Sequence, residues 1–173
     1  MNIEQGISNV EVLKLRNSLF LVRYSLFISC FVFCVNYSFS QNATIDSLHA
    51  DLNAATHDTT RAATLVAITE ELYIQYPDTI IPLCEAAIKI IDKNLPRANE
   101  KEKLSFMQTK AAAINNIGVI FQQHGQIKEA LEYYQKSLSI QEEIVDKNGI
   151  AISLNNIAYI FNNQGQIKEA LEY

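Results

Sequence analysis

The chain has 173 residues, 49% of them apolar and 19% charged, a length within reach of one domain. Its 14 basic and 19 acidic side chains give a net charge of −5. No basic patch interleaved with aromatics is present, so nucleic acid is not an expected partner.

Residues 1–40 read differently from the rest. Lys14, Arg16 and Arg23 precede the apolar run from Tyr24 to Val35, and small residues then alternate up to Ser40. A basic stretch, a short apolar core and small residues form the layout of a secretory signal, with cleavage expected after Ser40. Twelve residues reach only about 18 Å as a helix, short of the roughly 30 Å of a bilayer core. Extending the run back to Leu19 gives spanning length but places Arg23 inside it. The expectation is therefore an exported protein, periplasmic or membrane-associated, with an uncleaved anchor or a cytoplasmic location as the alternatives. Contact with a membrane is expected only through this segment or through a part beyond Tyr173. Cys30 and Cys34 lie in the run, which leaves Cys84 as a lone cysteine expected to pack as a small core residue.

A leader helix is expected within 41–57, with Ile45, Leu48 and Leu52 on one face. In the segment 58–95, Ala63, Leu65, Ile68 and Leu72 keep helical spacing from Thr59 to Gln75, and Pro77-Asp78 then breaks the chain. A second helix follows to about Asp92 with Ile80, Cys84, Ala87, Ile88 and Ile91, and Pro82 in its first turn. Lys93 to Glu102 is the expected loop. Beyond it, residues 102–145 and 147–173 read as helix, turn, helix. No segment alternates as a strand, so the fold class is all-α.

Residues 114–133 and 154–173 are nearly the same text forty positions apart, INNIGVIFQQHGQIKEALEY and LNNIAYIFNNQGQIKEALEY. Self-similarity at fixed period marks a duplicated structural unit. Gly125 falls just after a helix expected from Glu102 to His124, where a left-handed cap favours glycine. The following helix is expected to bury Ile127, Ala130, Leu131, Tyr134, Leu138 and Ile144. Gly118 sits within a helix, and Ala158 holds its place in the second copy, so the shared property is small size. Ala130 and Ala170 are the expected facing residues, with Ile117, Phe121, Leu131 and Tyr134 around them. The second copy stops at Tyr173 within its second helix, leaving Ile167, Leu171 and Tyr173 facing nothing.

These residues (Ile114, Ile117, Gly118, Phe121, Gly125, Ala130, Leu131 and Tyr134, then Leu154, Ile157, Ala158, Phe161, Gly165, Ala170 and Leu171) resemble the tetratricopeptide repeat. Ser137 departs from the family's alanine, no tryptophan opens the unit, and the period exceeds the usual thirty-four or so. The pattern looks like the longer-helix variety with an Asn-Asn pair, and residues 58–92 look like a divergent earlier repeat. The resemblance implies an antiparallel helix-pair superhelix, incomplete at its C-terminus, with a concave inner face. It further implies that Ala112, Asn115, Val119, Gln122, Gln123, Ile152, Asn155, Tyr159, Asn162 and Asn163 line that face. Such an amide-rich surface can satisfy the backbone of an extended peptide without requiring one sign of charge, or it can simply be solvated. The groove carries no lysine or arginine, unlike the family's carboxylate clamp.

The chemistry-bearing residues form no constellation. His49, His57 and His124 lack ligand spacing, and Glu70-Glu71 and Glu142-Glu143 are adjacent and diverge around their helices. No nucleophile triad, phosphate loop or Cys-x-x-Cys is present, so neither catalysis, metal nor cofactor is expected. The first reading is an exported scaffold that binds a protein or an extended peptide. The second is the sensory region of a longer membrane signalling protein. An export signal, Asp58-Thr59-Thr60-Arg61 and long-period repeats look like the N-terminal layout of certain bacterial proteins, which implies a histidine kinase, a nucleotide cyclase or a DNA-binding output beyond Tyr173. A structural spacer is the third.

Overall fold

A computed structural model describes residues 43–173, and the export segment expected over 1–40 lies outside them. Packing divides the chain into Met1–Thr44 and Ile45–Tyr173. Of the first unit only residues 43 and 44 are described, and both are helical.

Helix α1 spans 43–54, and its expected face of Ile45, Leu48 and Leu52 is half-buried. Helix α2 (Asp58–Leu72) and α3 (Ile80–Asn94) follow, joined through a short 3-10 turn at Pro77–Thr79. In α2 the buried alanine is Ala62, whereas Ala63 is exposed. Ala62, Leu65 or Val66, and Thr69 share one face at spacings of three and four, which Ala63 misses.

The loop expected from Lys93 to Glu102 is shorter than that. Helix α3 continues to Asn94, Leu95–Arg97 forms a 3-10 turn, and α4 (Glu100–Gln123) begins at once. A reciprocal cap starts α4. Asn99 Oδ1 accepts from the Glu102 N–H at 3.0 Å, and the Asn99 N–H donates to Glu102 Oε2 at 3.0 Å. Two otherwise orphaned helix-end donors are thereby satisfied, so the polar text around Asn99 starts a helix instead of interrupting one.

Helix α5 (Ile127–Glu143), α6 (Lys147–Asn163) and the short α7 (Ile167–Glu172) complete the array. Successive helices pack as neighbours, and the first helices of each pair also touch, α2 with α4 and α4 with α6. No strand occurs among the described residues, and none of their helices is long and apolar enough to cross a membrane. The structure is an all-α array of antiparallel helix pairs.

The earlier pair carries the same burial rhythm as its successor. Ile80, Cys84, Ala87 and Ile91 are buried in α3, and Ala130, Tyr134, Ser137 and Gln141 are buried in α5 at the same spacing. Spacing of four, three and four keeps such residues on one helix face. Of the residues expected to be buried in α5, Ala130 and Tyr134 are, while Ile127, Leu131, Leu138 and Ile144 are half-buried.

Gly125 (φ +72°) and Gly165 (φ +75°) cap α4 and α6 in the left-handed conformation. After α4, the Gln126 N–H donates to the Phe121 carbonyl at 2.9 Å and the Gly125 N–H to that of Gln122 at 3.0 Å. The same pair of bonds closes α6 at Gln166 and Gly165. This pair of hydrogen bonds satisfies two of the carbonyls that a helix end otherwise leaves open. Helix α5 ends in the same way at Val145, a β-branched residue held at φ 57°.

The atoms nearest to where a Gly118 side chain would begin belong to two tyrosines of α5. A methyl group placed on the glycine would lie 2.9 Å from the Tyr134 ring and 3.1 Å from Tyr133 Cβ. The absent side chain makes room for an aromatic ring. Tyr173 also has a neighbour, its ring stacking on Phe161 with centroids 5.6 Å apart, as Tyr133 stacks on Phe121 at 5.1 Å. Ile167 and Leu171 are exposed.

Candidate partner-binding groove

Successive first helices touch, α2 with α4 and α4 with α6, and polar side chains bridge both contacts. Asn156 donates its side-chain N–H to Asn115 Oδ1 at 2.9 Å, and Asn116 donates to Thr69 Oγ1 at 3.0 Å. The second asparagine of each Asn-Asn pair thus reaches back to the preceding helix pair. Asn115 is only 9% exposed and is committed to this joint. The groove role assigned to it by resemblance meets a residue already engaged inside the protein.

Beside this joint lies a concavity of about 330 Å³. Val119, Gln122 and Gln123 from α4 and Asn155 and Tyr159 from α6 line it. Half of the ten expected groove residues therefore converge. Three further residues join them: Tyr73 at the end of α2, Tyr134 of α5 and Asn156. Ala112 is half-buried against the first apolar cluster. Ile152, Asn162 and Asn163 are exposed but do not line this concavity.

The three additional residues left different signals in the sequence. Asn156 stands beside Asn155, but nothing in the text divides the pair into an outward and a cross-linking member. Tyr134 keeps core spacing and is fully buried, yet its hydroxyl reaches Gln122 Oε1 at 2.7 Å. Tyr73 lies in the earlier pair, whose wider offset hides its correspondence with Val119 and Tyr159.

Burial raises the Tyr134 phenol well above the ordinary tyrosine range, and neighbouring Tyr73 adds to this. Burial raises the Tyr73 phenol too. Both rings are neutral at physiological pH, and none of the lining residues carries a charge. The Cys84 thiol is completely buried and pushed up to about 12, by desolvation first and then against the pull of the Thr69 hydroxyl. A thiol in that state is not a nucleophile. Among the described residues no group of three or more His, Cys, Asp and Glu is placed to hold a metal ion.

A separate polar cleft of about 260 Å³ is bordered by His57, Asp58, Arg97 and Glu102. Opposite charges share it, and Glu102 is committed to the α4 cap.

Residues 109–173 match the family model of the tetratricopeptide repeat, a span that takes in both near-identical copies. Comparison with curated proteins finds no match. Over residues 109–173 the fold is a helical repeat of the tetratricopeptide type, and all the described residues form an all-α array. Repeats of this kind serve generally as protein-interaction scaffolds and are typically without catalysis of their own.

Proposed function

We propose that the chain is a scaffold that holds a protein segment or an extended peptide against α4 and α6. One observation carries this reading: side chains from two successive helix pairs, together with Tyr73, converge on a single uncharged concavity. Tyr159 is 54% exposed there, a large amphipathic ring with little reason to face water other than contact. Gln123 and Asn155 are exposed beside it and can both donate and accept. An extended chain laid across them would exchange water for amide hydrogen bonds and bury apolar side chains against tyrosine.

The test is photo-crosslinking in the native host, with a benzophenone amino acid at Gln123 in one protein and at Lys136, an exposed residue outside the concavity, in another. Discrete protein adducts at 123 that are absent at 136 support the groove. The same adduct pattern at both positions, or none at 123, rejects it.

We further propose that this scaffold works outside the cytoplasm, a reading supported by the basic-then-apolar layout of residues 1–40. Mass spectrometry of the purified protein should find a mature N-terminus at Gln41. A retained Met1 in a soluble cytoplasmic fraction would refute export.

A further inference from the structure

We infer that the buried polar seam between α5 and α6 is a key. It admits α6, rejects α4, and so fixes the order in which two nearly identical helices stack.

The need for a key lies in the repeated text. Residues 114–121 and 154–161 read INNIGVIF and LNNIAYIF. Both bury the same pair of isoleucines, Ile117 and Ile120 in α4, Ile157 and Ile160 in α6. Asn116 and Asn156 also make the same kind of bond to the first helix before them. Along this half, either helix could take the other's seat. Were α6 of one chain to settle on α3 of another, its host's α4 would be displaced and the two chains tied together by exchange.

What tells the helices apart is confined to the preceding turns. Thr109 and Ala113 of α4 correspond, forty positions on, to Gly149 and Ser153 of α6. They meet different second helices. In α3 the buried residues at this level are Ala87 and Ile91, and Ala113 joins them in one apolar cluster. The Lys110–Asp92 ion pair, at 2.6 Å, ties the same turns together. In α5, Ser137 and Gln141 hold the places of Ala87 and Ile91. Ser153 Oγ donates to Gln141 Oε1 at 2.7 Å. The Gln141 side chain also lies so close to Gly149 that a methyl group on that glycine would be 2.8 Å from it.

Exchanging the helices breaks both matches. On α5, the Thr109 side chain would collide with Gln141, and Ala113 would leave the Gln141 oxygen without the hydroxyl that now reaches it. On α3, Gly149 would withdraw the half-buried Thr109 side chain, and Ser153 would bring a hydroxyl into an apolar cluster. A helical serine can turn its hydroxyl to the carbonyl four residues back, so that last mismatch is the mildest of the four. A buried polar set is worth little more than an apolar one when satisfied, but it does not tolerate the wrong neighbour.

The test uses the full chain. Gly149→Thr with Ser153→Ala gives α6 the residues of α4, and Ser137→Ala with Gln141→Ile gives α5 those of α3. Either pair alone is expected to lower the urea midpoint, and the two together to return it close to the wild type. Order is then read by refolding from urea at rising protein concentration, with size-exclusion chromatography and light scattering against never-unfolded samples. The combined variant is expected to yield severalfold more persistent dimer than the wild type, because α6 now fits α3. Thr109→Gly with Ala113→Ser, which spoils the match on α3 instead, keeps the test decisive if the combined variant does not fold. It should lower the midpoint and also raise the refolded dimer severalfold. Midpoints that simply add overturn the key. Midpoints that behave as expected, with no more refolded dimer than in the wild type, overturn its part in ordering the helices.

Discussion

Asn156 gives its side-chain N–H to Asn115 across the α4–α6 contact at 2.9 Å, forty-one positions back along the chain. Asn116, its counterpart in the earlier copy, gives the same group to Thr69. Thr69 is buried, and its hydroxyl in turn donates to the Val66 carbonyl at 2.6 Å. The repeat therefore carries a hydrogen bond between successive first helices, made in both copies by the second asparagine of the pair.

Removing the donor should cost more than the bond itself, because a nearly buried oxygen loses its partner. Asn156→Ala is expected to destabilise the protein by about 1–3 kcal/mol. Asn115→Ala together with Asn156→Ala should cost less than the sum of the two single changes. Urea unfolding followed by circular dichroism measures all three. Strict additivity would mean that the two residues do not interact.

Gly118 permits the close approach of the Tyr134 ring, with only 2.9 Å to where a Cβ would stand. Gly118→Leu is expected to lower stability by about 1–3 kcal/mol through overpacking. Gly118→Leu combined with Tyr134→Ala should recover part of that loss relative to Tyr134→Ala alone, because the ring that clashes has gone. Thermal melts of the four proteins decide it, and a Gly118→Leu protein that melts with the wild type removes the packing explanation.

Much of this architecture was legible in the sequence, for reasons that can be assigned to particular residues. Gly125 and Gly165 mark helix ends because few other residues take a left-handed cap at low cost, and the forty-residue echo exposes the unit. The capping box at Asn99 and Glu102 was present in the text but lay among charges and next to Pro96, a composition that also describes a loop. The polar joint was less visible. Ser137 departs from the alanine usual at its place, and it is fully buried with its hydroxyl donating to the Ala111 carbonyl at 2.8 Å. Ser153 donates to Gln141 Oε1 at 2.7 Å beside it. These residues belong neither to the apolar cluster built on α2, α3 and α4 nor to the second one around Tyr134 and Ile157. Helical periodicity identifies apolar faces, and a buried face made of Ser and Gln gives it nothing to detect. For the groove, residue type suggested an amide surface, but which amide atoms remain free depends on Tyr134 and Asn115, and only packing brings these together.

Val145 closes α5 in a conformation that glycine holds at the other two caps, with φ 57° and its side chain 71% exposed. A β-branched residue there is strained, while its side chain has little packing to lose. Val145→Gly is expected to raise stability by about 1 kcal/mol, the relief of strain exceeding the added freedom of the unfolded chain. Urea midpoints measure it. A lower midpoint for Val145→Gly would show that the valine side chain contributes packing that its exposure does not suggest.

Alkaline pH should unfold the protein earlier than its surface charges would. The Cys84 thiol ionises near 9.0 when unperturbed and is pushed up to about 12 in the folded protein. Between these values the unfolded chain has released the proton and the folded one still holds it. Because the folded state then binds more protons, stability falls as pH rises through this window and is undiminished by this group below about pH 9. The Tyr134 and Tyr73 phenols, both raised by burial, act in the same direction from about pH 10 upward. Cys84→Ala removes the first of these contributions. Its urea midpoint at pH 8 should be somewhat lower than that of the wild type because a buried side chain has been shortened. Between pH 9 and 10, however, its decline should be shallower by about 1 kcal/mol per pH unit. The comparison of slopes is the informative one, since it is insensitive to the packing loss. Parallel declines in the two proteins would mean that the thiol is freed from its burial before the fold gives way.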